Sequence, residues 1–166
     1  MNISAIICEF NPFHKGHRYL LDTVRQGGSD IIVCIMSGNF TQRGDTAIIS
    51  KFTRAKQALN GGADIVIELP TVYACSSASV FARAGVELAD SLGCVDTLAL
   101  GCECGSDKLI LDCAKAVSDK AVTDCTDRLL RSGEYYPKAL QSSVREFYSD
   151  ELADVLSNPN NTLAVE

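Results

Sequence analysis

The sequence predicts an α/β fold built on a Rossmann-like, doubly wound parallel sheet. Apolar runs of strand length alternate with helical patterns over the first hundred residues, which is typical of β-α-β units. The run Ile31–Met36 reads IIVCIM, and such unbroken hydrophobicity indicates a strand that is buried on both faces. Because crossovers between parallel strands are right-handed, we expect helices on both faces of the sheet.

Four strands are expected, and each ends at a turn signal. The first precedes an Asn-Pro turn, the second precedes a polar loop, the third is cut by Pro70, and the fourth ends at Gly101. Ligands of such sheets bind beyond the carboxyl ends of the strands. The predicted strands are Ile3–Cys8, Ile31–Met36, Asp64–Leu69 and Thr97–Leu100.

Six helices are expected, three of them ended by glycines at Gly27, Gly61 and Gly93. The remaining three follow the fourth strand. The predicted helices are Gly16–Gln26, Lys51–Leu59, Ser76–Leu92 and, more roughly, Ser106–Val117, Asp119–Arg131 and Pro137–Leu156.

Composition fits one globular domain over residues 1–166. The chain is 46% hydrophobic and 22% charged, which excludes a disordered chain and a disulfide-scaffolded miniprotein. No apolar run approaches the roughly 18–20 residues that a transmembrane helix needs. The start, MNISAII, has no basic segment of the kind that opens a signal peptide and is interpreted as a core strand. We therefore expect a cytoplasmic protein.

Charge is unevenly distributed along the chain. Its net value is −6, yet residues 1–60 hold seven Lys and Arg against four Asp and Glu. A phosphate ligand is therefore favoured by the first third. The acidic total argues against broad, non-specific nucleic-acid binding but does not exclude one basic face.

The eight cysteines form no CxxC pair. We expect reduced, metal-free thiols, of which Cys8 and Cys34 fill the core as small hydrophobes. A zinc site is the alternative, and its spacing is poor. Its ligands would be Cys94, Cys102, Cys104 and Cys113.

The turn after the first strand carries the strongest functional signal. It contains both histidines of the chain, His14 and His17, on either side of Lys15 and Gly16. A helix begins here, and its free N–H groups and dipole suit a phosphate. Imidazoles that donate to a polyphosphate would stabilise the charge that grows as pyrophosphate leaves. The plain alternative is two ordinary turn histidines.

The loop after the second strand is a candidate substrate loop. Ser37 and Asn39 can donate to phosphate or carboxylate, Gly38 permits a tight turn, and Gln42 and Arg43 add a donor and a charge. The alternative is a solvated loop.

Charged residues near the next helix and strand have open roles. Lys51 and Arg54 share a helical face and could meet phosphate or RNA. Glu68 lies in an apolar strand, where it needs a partner, either as a ligand contact or in a structural ion pair.

Several ordered blocks resemble the bacterial tRNA(Met) cytidine acetate ligase family of the HxGH nucleotidyltransferase superfamily. The first is Glu9-Phe10-Asn11-Pro12-Phe13-His14-Lys15-Gly16-His17, which is similar to the family's E-(Y/F)-NPFHxGH block. The others are Met36–Gly44 (MSGNFTQRG), Arg54–Lys56 (RAK), Gly62–Pro70 (GADIVIELP), Gly101–Glu103 (GCE) and Asn158–Leu163 (NPNNTL).

The resemblance implies an enzyme that uses ATP with Mg²⁺ to activate acetate as acetyl-adenylate. Such an enzyme then acetylates N4 of the wobble cytidine of elongator tRNA(Met). His14 and His17 would be catalytic, Gly101 would let adenine lie against the backbone, and no protein ligand for the metal is expected. The implied ATP-binding residues are Ile7, Cys8, Glu9, Phe10, Asn11, Pro12, Phe13, His14, Lys15, Gly16, His17, Arg18, Tyr19, Leu20, Gly101, Asn160 and Asn161.

The chain is shorter than members of that family, so we expect a truncated form of the domain. Later phosphate-binding and tRNA-binding parts would be missing, and tRNA association would be weak at most. Two alternatives stay open: an adenylyl- or cytidylyltransferase that makes a small nucleotide cofactor, and a nucleotide-binding remnant without catalysis.

Overall fold

The computed structural model describes residues 1–166, which form two compact units, Met1–Leu100 and Gly101–Glu166. That residues 1–166 form one domain stays a prediction. No helix is both long and apolar enough to cross a membrane.

The first unit is a parallel four-stranded sheet in the order β3-β2-β1-β4. This confirms the predicted α/β class. The bounds are β1 Ile3–Cys8, α1 Lys15–Gln26, β2 Ile31–Ser37, α2 Lys51–Asn60, β3 Ile65–Leu69, α3 Thr71–Ala74, α4 Ala78–Ser91 and β4 Thr97–Leu98.

Helices cover the sheet on two faces, as the pattern predicted. Ile6 and Cys8 of β1 belong to a buried cluster with Leu21 of α1 and Ala58 of α2. Ile7 points to the other face because side chains alternate along a strand. There Gly85 of α4 approaches so closely that an added Cβ would lie 2.6 Å from Ile7 Cδ1.

Strand register brings the functional loops to one edge. Cys8, at the end of β1, pairs with Met36 of β2, and Met36 pairs with Glu68 of β3. The loops that follow β1, β2 and β3 therefore leave the sheet side by side, at the carboxyl edge where doubly wound sheets bind ligands.

The second unit is helical, and its bounds differ from the prediction at one long helix. The expected helix Pro137–Leu156 is broken at Tyr148, because the Ser149 hydroxyl accepts from the N–H of Leu152 and caps a new helix. Asn158–Leu163, one of the blocks of the family resemblance, is mostly helical. The bounds are α5 Asp107–Val117, α6 Lys120–Arg131, α7 Tyr136–Phe147, α8 Asp150–Val155 and α9 Pro159–Val165.

Candidate active site

Two histidines cap the start of α1 reciprocally. His14 is the residue before the helix, and its Nδ1 accepts from the backbone N–H of Gly16 at 3.1 Å. His17 Nδ1 accepts from the backbone N–H of His14 at 3.3 Å. This is the arrangement of a capping box, with imidazoles in place of the usual hydroxyl and carboxylate. The two side chains are therefore held in place by the helix that they start.

The same hydrogen bonds fix the tautomer of both rings. Because each Nδ1 accepts a backbone N–H, the proton of each neutral imidazole lies on Nε2. The rings are stacked, with centroids 3.6 Å apart and planes 23° apart. His14 and His17 thus form a pair of Nε2–H donors that do not depend on a positive charge.

Burial keeps His17 neutral. Its ring lies against Phe10 and Phe13, at centroid distances of 4.7 and 5.7 Å. Loss of hydration lowers the pKa of His17 to about 4, and the charge of His14 adds to the effect. Near neutral pH, His17 is therefore a hydrogen-bond donor without net charge.

The start of α1 also offers a backbone hydrogen-bond donor. The backbone N–H of Lys15, the first residue of α1, makes no hydrogen bond within the chain, whereas the N–H groups of Gly16 and His17 are capped by the His14 side chain. No acidic residue lies in the first turn of α1. A free N–H group and the positive end of the helix dipole favour an anion there. The exposed side chain of Lys15 can add a further positive charge.

The loops after β1 and β2 are joined by hydrogen bonds. Glu9 Oε1 accepts from the backbone N–H of Gln42 at 2.5 Å, and Asn11 Oδ1 accepts from the backbone N–H of Ile48 at 2.8 Å. The Gln42 side chain donates to the carbonyl oxygen of Ser76 at 2.7 Å. The histidine turn and the candidate substrate loop therefore form one connected surface.

Arg54 supports this surface from the interior of the first unit by hydrogen bonds to loop carbonyls. Its side chain is fully buried, and its guanidinium donates to the carbonyl oxygens of Glu9, Gly38 and Ile49. Burial lowers the pKa of Arg54, while the charge of Glu9 opposes that shift. The expectation that Arg54 shares a solvent-facing surface with Lys51 is wrong, because its first-turn position on α2 points it at these carbonyls.

Lys51 and Glu68 form an ion pair at the ends of β2 and β3. Lys51 Nζ donates to Glu68 Oε1 at 2.8 Å and to Oε2 at 2.6 Å. The carboxylate packs against Gly38, where an added Cβ would clash with Oε1. Gly38 is thus required for the close approach of Glu68, which is a second reason for a glycine in this loop.

Residues of the second unit form a separate polar cluster. Asn160 Nδ2 donates to Glu103 Oε1 at 2.6 Å, and Asn161 Oδ1 accepts from the backbone N–H of Glu103 at 2.7 Å. Asn161 is buried, and its Nδ2 has no partner. Gly101 is exposed. The binding of ATP by Gly101, Asn160 and Asn161 stays a prediction.

Known proteins resemble this chain along its whole length. The family model described as HIGH Nucleotidyl Transferase matches residues 1–166. The chain belongs to the HIGH nucleotidyltransferase family. Its histidine turn, His14 to His17, is the element for which the sequence first suggested that superfamily.

Comparison with longer relatives shows which members of this family the chain resembles. The chain is 42% identical to the tRNA(Met) cytidine acetate ligase of Clostridium novyi and 37% identical to that of Acetivibrio thermocellus. Both matches cover the whole chain but only 43% and 41% of the relatives. The chain therefore spans less than half the length of these relatives, and the resemblance found in the sequence is confirmed for that part.

A solved structure agrees with the fold. The crystal structure of Thermotoga maritima TmcAL bound with alpha-thio ATP superposes with a TM-score of 0.89 at 32% identity. The match covers 99% of this chain and 42% of that one. The predicted nucleotidyltransferase-like fold is confirmed.

The residues proposed for ATP differ in how accessible they are. The chain from β1 to α1 begins in the core and ends in solvent. Cys8 and Phe10 are buried; Ile7, Glu9, Asn11, Phe13, His17 and Leu20 are half-buried; Pro12, His14, Lys15, Gly16, Arg18 and Tyr19 are exposed. The buried members can shape the turn, while the exposed members are free to contact a ligand.

The residues of the candidate substrate loop also differ in how accessible they are. Ser37 and Gly38 are buried, Gln42 is half-buried, and Asn39 and Arg43 are exposed. Arg43 lies in a turn closed by a hydrogen bond from Gly44 N–H to the Thr41 carbonyl at 2.9 Å. A well-defined turn therefore presents a free guanidinium beside the loop from Glu9.

Sequence reasoning missed the structural roles of Arg54 and of the Gly61–Phe13 contact. A basic residue three positions after Lys51 gave no sign of burial. An added Cβ at Gly61 would lie 2.4 Å from Phe13 Cζ, so Gly61 admits the ring that supports His17. No local pattern signals a contact between residues so distant in sequence.

Proposed function

We propose that this chain binds ATP at the start of α1 and activates acetate. The observation that carries the proposal is the pair of mutually capped, stacked imidazoles with free Nε2–H groups, at a helix start where the backbone N–H of Lys15 has no partner. Triphosphate oxygens need several donors that converge without acidic neighbours. The relative bound to an ATP analogue and the relatives named as acetate ligases support this choice of substrates.

The proposed reaction is adenylation of acetate. A carboxylate oxygen of acetate bonds to the α-phosphorus of ATP as the bond to the bridging oxygen breaks, giving acetyl-adenylate and pyrophosphate. His14 and His17 donate from Nε2 to oxygens of the leaving pyrophosphate, on which negative charge grows. The rings are fixed before substrate arrives, so little reorganisation accompanies the step.

Magnesium would have to be held chiefly by the nucleotide. The chain shows no group of three or more His, Cys, Asp or Glu side chains arranged to hold a metal ion. Phosphate oxygens and water are ordinary ligands of Mg²⁺ in nucleotide sites. Its chemistry would be to neutralise phosphate charge.

For longer enzymes of this kind, we propose that the acetyl group is then transferred to N4 of the tRNA(Met) wobble cytidine. This reaction would take place in the cytoplasm. In this chain most basic residues that could bind RNA already form ion pairs or are buried. Arg18, Arg25 and Lys51 pair with Asp22, Asp64 and Glu68, and Arg54 is buried. Arg43 and Lys56 keep free charges, so tRNA binding by this chain would be weak and salt-sensitive.

A double variant tests the imidazoles without removing the helix caps. In His14→Asn with His17→Gln, the asparagine can still cap the helix and the glutamine can still complete the capping box. We expect ATP affinity, measured by calorimetry with Mg²⁺, to fall at least about tenfold, because each lost charge-assisted bond contributes roughly 1.5–3 kcal/mol. Far-UV circular dichroism controls for folding.

Two results distinguish the alternatives. Equal ATP affinity in the parent chain and the double variant would contradict the phosphate role of the histidines. Acetate-dependent pyrophosphate release, with acetohydroxamate formed on adding hydroxylamine, supports acetate activation. ATP binding without either product would instead support a nucleotide-binding remnant.

A further inference from the structure

Phe10 has a backbone conformation that is unusual for its side chain. It lies two residues after the end of β1 and has a φ of +48°, the only positive value at a residue other than glycine. A left-handed conformation costs free energy for a bulky side chain. Such strain persists where the surrounding structure enforces it, and it is concentrated at functional sites. The side-chain contacts of Phe10 are therefore examined for a role in the histidine turn.

Hydrogen bonds on both sides of Phe10 enforce its conformation. The carbonyl oxygen of Glu9 accepts from the guanidinium of Arg54, which belongs to α2. The side-chain oxygen of Asn11 accepts from the backbone N–H of Ile48, in the loop after β2. Both neighbours of Phe10 are thus fixed, and relaxation of the strained residue would break these bonds.

The ring of Phe10 lies between the core and His17. It is 2% exposed and belongs to the buried cluster that contains Cys8 and Leu21. Its centroid lies 4.7 Å from that of His17 and 5.1 Å from that of Phe13, which it meets edge to face. Phe13 lies farther from His17, at 5.7 Å. Phe10 is therefore the phenylalanine that contacts His17 most closely.

Contacts with two rings define the orientation of His17. His14 stacks on it at 3.6 Å, and Phe10 meets it with the planes 49° apart. In this orientation His17 Nδ1 accepts from the backbone N–H of His14. A half-turn of the imidazole would place a carbon atom opposite that N–H and would move Nε2. A buried ring packed against the imidazole opposes such a rotation.

We propose that Phe10 is a positioning residue for His17. Its ring keeps the imidazole in the orientation in which Nδ1 caps the helix and Nε2–H is free to donate to a phosphate. Because its side chain is buried, Phe10 acts through His17 and not by a side-chain contact with a ligand. The donation to phosphate rests on the proposed function, whereas the hold of Phe10 on the imidazole does not. The ring also contributes to the burial that lowers the pKa of His17.

Nuclear magnetic resonance of the chain with labelled histidines tests this role without ATP. The chain has only two histidines, so His17→Gln assigns the ring nitrogens, whose signals report tautomer and pKa. Phe10→Leu keeps an apolar side chain but removes the ring. We expect the proton affinity of His17 to rise at least about tenfold, because water reaches the imidazole, and the neutral ring to lose its exclusive Nε2–H tautomer. The charged or titratable neighbours are the same in both chains; they are Glu9, His14, Lys15, Arg18 and Arg54.

Three further variants separate positioning from stability. Phe81→Leu removes an equally buried ring from α4, on the opposite face of the sheet, and should leave the His17 signals unchanged. Phe13→Leu should raise the proton affinity of His17 less than Phe10→Leu does, because Phe13 lies farther from the imidazole. Phe10→Tyr keeps the ring and should preserve the tautomer and the low pKa of His17.

The parent chain supplies a measurement for the case in which Phe10→Leu does not fold. Nuclear Overhauser contacts are expected between the ring protons of Phe10 and His17, since their centroids are 4.7 Å apart. A strong contact between the amide proton and Hα of Phe10 is also expected, because a positive φ brings these two protons close together. The absence of either contact would contradict the positioning role.

ATP calorimetry with Mg²⁺ distinguishes this inference from the proposed function. Phe10→Leu should weaken ATP binding roughly three- to tenfold through lost preorganisation of His17, and Phe81→Leu should not. Unchanged His17 signals in Phe10→Leu, or an equal change in Phe81→Leu, would overturn the positioning role. So would an ATP affinity that depends on the histidines but not on Phe10, and the proposed ATP site would then stand. Altered His17 signals in Phe10→Leu, with ATP affinity unchanged there and in the histidine double variant, would support the hold on the imidazole and reject its phosphate role.

Discussion

Replacing Arg54 by methionine should destabilise the first unit measurably. Methionine has a similar length but no donors, so the carbonyl oxygens of Glu9, Gly38 and Ile49 lose their partner. Each buried acceptor left without a donor costs about 1 kcal/mol or more. Removing a buried charge offsets part of that sum. We expect the free energy of unfolding to fall by about 2–4 kcal/mol.

Urea unfolding followed by far-UV circular dichroism measures this change, since the chain has no tryptophan. Lys56→Met is the matched control, because Lys56 is exposed on the same helix and forms no ion pair; its effect should stay within about 0.5 kcal/mol. Arg54→Lys should be intermediate, since an ammonium cannot span three carbonyls as a guanidinium does. A loss below about 1 kcal/mol in Arg54→Met would refute the view that this side chain holds the loops together.

Three further results are expected. The pKa of His17 is about 4 in the folded chain against an ordinary 6.5, so the unfolded chain takes up the proton first and the free energy of unfolding falls as pH drops from about 6.5 to 4. After allowing for partial solvation we expect a loss of roughly 1–2 kcal/mol, measured as the difference between the parent chain and His17→Gln. Equal acid sensitivity of the two chains would contradict this expectation. Gly61→Ala should cost about 1–3 kcal/mol by displacing Phe13 in urea unfolding, while Gly27→Ala, also in a helical conformation, should not. Incubation of the chain with elongator tRNA(Met), acetate, ATP and Mg²⁺ should give no N4-acetylcytidine by mass spectrometry, and product above a no-enzyme control would show that residues 1–166 suffice.

Sequence patterns predicted the elements that depend on local signals. The run Ile31–Met36 could be assigned because its hydrophobicity is continuous, and α1 because glycines follow it. The prediction of one helix over Pro137–Leu156 was wrong in its middle. Ser149 caps a new helix there, although the helical spacing of apolar residues continues on both sides. A single cap residue is a weak signal within a long amphipathic pattern.

The place of the histidine turn could be predicted from the sequence, but the contacts that support it could not. Two histidines around a glycine at a strand–helix junction are visible in the sequence. Their mutual capping is visible only in the structure, because which ring nitrogen accepts depends on the conformation of the turn. The burial of Arg54 was equally hidden, since it depends on three carbonyls from segments that meet only after folding.

The contacts of Arg54 also connect the histidine turn with the candidate substrate loop. One guanidinium binds the carbonyl of Glu9, which precedes the histidine turn, and the carbonyl of Gly38, which lies in the candidate substrate loop. Glu9 in turn accepts from Gln42 in the loop beyond Gly38. A ligand that orders one loop therefore acts on a network shared with the other. If ATP binds as proposed, Arg54→Lys should weaken ATP binding, whereas Lys56→Met, on the same helix, should leave it unchanged.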